Sequence, residues 1–199
     1  MTTPQQTVPT DRPDDVAAGR RSWAGRPVVR NLGLVVALAL IAVAGFATGG
    51  ERFGSIENIL TILRLASIVG VLAIGMTFVV TSGGIDLSVG SVLGLSTVWA
   101  TTLATQTLAE DVHWFVIVLV ALAVGTGAGL INGVLIAYGR VVPFIMTLAM
   151  LAAARGLAEM ISDRQTQVLG VDGFLDFFRA DLLGIPVLVW IFALVTVVG

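Results

Sequence analysis

The chain has 199 residues, of which 56% are hydrophobic and 12% charged, with a formal net charge of −2. Soluble domains carry about 25% charged residues, so this balance excludes an ordinary soluble globule, and the near-neutral charge gives nucleic acid no footing. There is no cysteine, which excludes disulfides and thiolate metal sites.

Residues 1–30 read as a polar tail with Pro4, Pro9 and Pro13, small residues and mixed charge. Such composition predicts a largely disordered segment. The tail carries Arg12, Arg20, Arg21, Arg26 and Arg30. From residue 31 to 199 a single transmembrane domain is expected. Its apolar runs fall at about 32–48, 59–81, 85–105, 113–138 and 142–161, and a sixth begins near 184. Each is roughly 16 to 27 residues long, near the ~20 residues that span a hydrocarbon core. None alternates with period two, which argues against a membrane β-barrel. The expected fold class is all-α, a polytopic helical membrane protein with about six transmembrane helices. The sixth run is still apolar at Val198-Gly199, so the chain reads as incomplete at its C-terminus. Arg20-Arg21-Ser22-Trp23 resembles a twin-arginine signal and Ala42-Val43-Ala44 a peptidase site. Both patterns are weak, and five further runs favour an uncleaved first helix.

Arginine placement gives an orientation, since there is no lysine. With the N-terminus cytoplasmic, the five tail arginines and Arg140 lie inside, while Arg52, Arg164 and Arg179 lie outside. That bias follows the positive-inside rule. The stretch Gln106 to Val112 holds two acids and no base, which suits the outer face. His113, beside Trp114, reads as an interfacial anchor. Residues 162–183 form the longest external segment, where Phe174, Phe177 and Phe178 predict a short amphipathic helix.

The polar residues inside the apolar runs are the candidates for function. Between the second and third runs stands Thr81-Ser82-Gly83-Gly84-Ile85-Asp86-Leu87-Ser88, with one acid and three hydroxyls. A polar, glycine-rich break at membrane depth belongs where it lines a path for a polar solute. Asp86 admits two readings, a cap on the helix beginning near Leu87 or a path-lining group. Thr81, Ser82 and Ser88, with Thr77 and Ser91, either face the path or bond to preceding carbonyls. Asn132 reads as a bond to a neighbouring helix. Arg155 and Glu159, four apart, share a helix face as an ion pair or a path element. Gly45/Gly49, Gly90/Gly94 and Gly125/Gly129/Gly133 repeat at four-residue spacing, which predicts close backbone packing. Pro143 suits the first turn of a helix. There is no nucleotide loop, zinc spacing or nucleophile–histidine pairing, so neither an enzyme nor a bound cofactor is expected.

Two stretches, GMTFVVTSGGIDLSVGSVLGLS and GLINGVLIAYGRVVPFIMTLAMLAAARGLAEMIS, resemble the membrane permease of bacterial ATP-binding-cassette importers for ribose, xylose and similar monosaccharides. The resemblance runs from about Leu60 to Ser162 and more loosely to 199. Asp86 matches the aspartate of the family's GGIDLS motif, Asn132 the asparagine of its GxxNG motif and Arg155 the arginine of its ARG motif. It implies a multi-pass subunit of the bacterial inner membrane, surrounded by lipid and paired with a second permease subunit as a homo- or heterodimer. It also implies a separate cytoplasmic ATPase and an extracytoplasmic sugar-binding protein. Such permeases have about ten helices, so roughly half of one is expected here. Three alternatives stand beside it: a related permease for amino acids or nucleosides, an ion-coupled carrier using Asp86, and a structural membrane subunit.

Overall fold

The computed structural model describes residues 27–199, with side chains from Leu32 onward. The expected tail and its arginines up to Arg26 lie outside the described residues. The chain divides into two units at Ser55. In the first, α1 spans Pro27–Gly49, starting ahead of the apolar run. A short 3-10 turn at Gly50–Arg52 then turns the chain. Phe53 folds its ring back over Gly45 and Gly49 and meets Phe46 edge-on at 4.9 Å. The Gly45/Gly49 pair thus makes room for one aromatic ring of the same unit.

The second unit opens with α2, Ile56–Thr81, 26 residues long and about 39 Å at 1.5 Å per residue. Glu57 in its first turn suits the positive end of the helix dipole. α3 is Val89–Ala100 and α4 is Leu103–Asp111. α5 is Phe115–Ala137, and α6 is Pro143–Ile161 with Pro143 in its first turn. α3 lies between α5 and α6 and packs on both. Leu95, Ala128, Met150 and Ala154 form the core of that trio. α8, Val187–Val198, pairs with α2, and the Phe192 ring sits over Gly70 at their contact.

The third apolar run departs from expectation. It is not one helix over 85–105 but α3, of 12 residues, followed by a break and α4. At about 18 Å, α3 is shorter than the ~30 Å hydrocarbon core. The cause is a cluster of hydroxyls. Thr101 Oγ1 donates to the Thr97 carbonyl at 2.9 Å and Thr102 Oγ1 to that of Trp99 at 2.9 Å. Thr102 then caps α4, accepting from the Thr105 N–H. These side chains satisfy the end groups of both helices, so stopping costs little. Among the described residues, four helices are long and apolar enough to cross a membrane, and α3 and α8 are shorter apolar helices.

A cap of polar and aromatic contacts covers the end where α3 gives way to α4. α7, Asp172–Arg179, is the expected amphipathic helix. Its Phe177 stacks on Trp114 at 5.0 Å, and Phe174 and Phe178 complete the cluster. Gln106 on α4 ties the preceding loop down. Its Nε2 donates to the carbonyls of Thr101 and Val168, and its Oε1 accepts from Gly170 N–H at 2.8 Å. A minimal hairpin follows, β1 Asp181–Leu182 with β2 Ile185–Pro186. Leu183 and Gly184, both at positive φ, make its two-residue turn.

Candidate functional site

The polar junction runs from the C-terminus of α2 to the N-terminus of α3. Gly83 adopts φ +81°, a conformation that favours glycine. The chain then extends through residues 84–86 before α3 begins. Ser88, not Asp86, occupies the N-cap position, and its own side chain makes no cap bond. Asp86 acts from two residues upstream. Its Oδ1 accepts the Ser88 backbone N–H at 2.7 Å and the Ser88 hydroxyl at 2.6 Å. This Asx-type turn presents the carboxylate to the start of α3, where the dipole favours negative charge.

Ser88 is 1% exposed and Asn132 is 6% exposed. Asn132 Nδ2 donates to Ser88 Oγ at 3.1 Å, joining α5 to the junction. The amide orientation follows from the hydrogen count. A carboxylate only accepts, so the serine proton goes to Asp86 and its oxygen is left to accept from Asn132. Asn132 Oδ1 is buried without a hydrogen-bond partner among the described residues. Thr147 on α6 completes the framework, donating from Oγ1 to the Ile85 carbonyl at 3.2 Å. Side chains from α5 and α6 therefore hold the seven non-helical residues 82–88.

A cleft of about 410 Å³ opens beside this framework. Ser82, Asp86 and Asn132 line it together with Gly129, Gly133 and Thr147. Ser82 Oγ is turned back onto the Val79 carbonyl, and Thr81 Oγ1 onto Thr77 and Phe78. Arg155 and Glu159 stand elsewhere. They line a second cleft, of about 490 Å³, between α3 and α6, with Gly90 and Gly94 on its opposite wall. Arg155 Nε meets Glu159 Oε1 at 3.3 Å, and Arg164 Nε meets Oε2 at 3.5 Å. Of the predicted polar residues, Ser82, Asp86 and Asn132 thus line one cleft, Arg155 and Glu159 the other, and Thr81 and Ser88 neither.

Among the described residues, the glycine stripes of α3 and α5 have little packed against them. A Cβ at Gly90, Gly94, Gly129 or Gly133 meets no described atom within 4 Å. At Gly125 it meets only Ser96 Oγ, at 3.4 Å. Four-residue spacing places them on one face, but those faces border the clefts. Thr147 was not singled out from the sequence, nor were the ties of Gln106 to the loop before α7 and of Arg164 to Glu159. Thr147 left a signal, the lone hydroxyl of α6, one turn after Pro143 in its apolar first half. Among the described residues, no group of three or more His, Cys, Asp or Glu side chains gathers as a metal site.

Residues 58–199, which include the junction and both clefts, match the family model described as branched-chain amino acid transport system / permease component. The chain is 35% identical over 179 residues to ribose import permease protein RbsC of Haemophilus influenzae, covering 88% of this chain and 54% of that protein. It is 34% identical over 188 residues to L-arabinose ABC transporter permease protein AraH of Azospirillum brasilense, covering 94% and 53%. It is 35% identical over 185 residues to galactofuranose transporter permease protein YtfT of Escherichia coli, covering 90% and 52%. The chain spans about half the length of the curated relatives it matches. No solved structure matches it.

Proposed function

The chain belongs to the family of branched-chain amino acid transport system permease components, and from that premise we propose that it is a membrane subunit of an ATP-driven importer for a monosaccharide. The observation that carries the sugar assignment is the similarity to ribose, arabinose and galactofuranose permeases along most of the chain. In this reading the subunit sits in the bacterial inner membrane with a second permease subunit. A separate cytoplasmic ATPase drives it and an extracytoplasmic binding protein delivers the sugar. The permease makes and breaks no covalent bond; it exposes its path to each side in turn. The framework of Asp86, Ser88, Asn132 and Thr147 supports such a role, because irregular backbone at membrane depth is tolerated where protein or a wetted cavity satisfies it. The N-terminus is assigned to the cytoplasm on the arginine bias. An impermeant thiol reagent should then label Ser162→Cys or Asp172→Cys in intact cells; labelling only after permeabilisation reverses the orientation.

A second substrate class follows from the family description itself, which names branched-chain amino acids. Deleting the gene and measuring uptake of a panel separates the two. Loss of ribose, arabinose or another monosaccharide with leucine uptake intact supports the sugar reading. Loss of leucine, isoleucine or valine uptake alone replaces it.

A further inference from the structure

We propose that the cleft between α3 and α6 is a water-facing binding site for a neutral, polyhydroxylated solute, with the Arg155–Glu159 pair as its polar contact. The proposal rests on the importer reading above and deepens it, because it assigns the solute to one cleft rather than the other.

The first argument is position. α6 is long and apolar enough to cross a membrane. Arg155 lies about 18 Å from its first residue and about 9 Å from its last. Its side chain is 74% exposed and that of Glu159 is 44% exposed. Ionisable groups within membrane segments rarely face lipid; they line water-filled cavities or meet other protein.

The second argument is unused hydrogen-bonding capacity. Glu159 is held through the Nε atoms of Arg155 and Arg164. The Nη donors of Arg155 have no acceptor among the described residues. A guanidinium fork beside a carboxylate offers donors and an acceptor at short spacing. Adjacent hydroxyls need that combination, since each both donates and accepts.

The third argument is space. The cleft measures about 490 Å³, within the ~300–1,000 Å³ usual for small-molecule sites. Gly90 and Gly94 leave its α3 wall open, with no described atom within 4 Å of an added Cβ. Ser91 on the same wall and Ser162 at the end of α6 add hydroxyls.

The chain has no cysteine, so single cysteines report cleanly. The assembled importer in membrane vesicles is the sample, with ribose as probe and L-arabinose in parallel. Ser91→Cys and Gly94→Cys should react with a charged, water-soluble methanethiosulfonate. Leu130→Cys, on an exposed apolar face of α5, should not. Ribose or arabinose should slow the reaction at 91 and 94 at least threefold, and modification should block uptake. Glu159→Gln should lower uptake at least tenfold while assembly with the ATPase persists. Unreactive cysteines, as a second copy packed over the cleft would give, overturn the proposal. So does reaction that neither sugar slows. Failure of the importer reading looks different: the unmodified protein would then show no ATP-driven sugar uptake, and the ligand assignment would fall with it.

Discussion

Asn132 on α5 donates its side-chain amide to the hydroxyl of Ser88 at 3.1 Å, across 44 positions of sequence. Both residues are buried, and the serine passes its own proton to Asp86. The bond has a direction. Asn132 can only donate here, because the serine proton is already committed. A buried chain of this kind is worth more than its separate bonds and is costly when half-satisfied.

That direction orders two substitutions. Asn132→Ala removes a donor, and Ser88 keeps its bond to Asp86. The expected cost is about 1 kcal/mol. Asn132→Asp places an acceptor against an oxygen with no proton to give and adds a second carboxylate near Asp86. The expected cost exceeds 2 kcal/mol, since a buried charge is left unpaired. Thermal unfolding of the purified variants in one detergent checks the order. Asp as well tolerated as Ala would contradict the assigned bond direction.

Asp86 offers a second test. An asparagine oxygen can accept from both the Ser88 N–H and hydroxyl, whereas alanine accepts neither. Asp86→Asn should keep most of the assembly and much of the transport, and Asp86→Ala should lose about 1 kcal/mol of stability and more transport. Expression, assembly and uptake of both variants are measured together. If both assemble normally and are equally inactive, the carboxylate acts directly in transport, as an ion-coupled carrier requires.

Gly70 and Gly129 test where helices touch. Gly129 belongs to the four-residue stripe, yet an added Cβ there meets open space. Gly70 belongs to no stripe, yet lies under the Phe192 ring. Gly129→Ala should be neutral or stabilising by up to about 1 kcal/mol, the helix-propensity gain. Gly70→Ala should be destabilising by about 1–3 kcal/mol, because the ring must move. The opposite order of melting temperatures would contradict the α2–α8 contact.

Much of the fold was legible because its signals are local. Lengths of apolar runs marked α1, α2, α5 and α6, and Phe174, Phe177 and Phe178 marked α7. The end of α3 was not legible, because threonine is common in apolar helices and Thr101 and Thr102 must act together to stop one. Nor was the division of polar residues between two clefts. Asp86 and Arg155 are both charged groups in apolar surroundings, and only packing of α3 between α5 and α6 separates them. The glycine repeat says which residues align on a face, and spacing alone does not say what stands opposite.

Gln106 provides a prediction about motion. Its side chain joins the break after α3 to residues 168 and 170 through three hydrogen bonds. Gln106→Ala should leave the membrane helices in place and loosen the loop before α7. Amide hydrogen exchange across 165–171 should quicken about 10-fold or more, equivalent to ~1.4 kcal/mol of local opening. Unchanged exchange there would show that the Trp114 cluster holds the loop by itself.

In the proposed function this subunit moves sugar with energy from a partner ATPase. The direct measurement is sugar accumulation in proteoliposomes holding the assembled importer, with binding protein outside and ATP sealed inside. Accumulation should need ATP and persist when an uncoupler collapses the proton gradient. Accumulation without ATP or the ATPase, driven by an imposed proton or sodium gradient across liposomes containing this subunit alone, would contradict it.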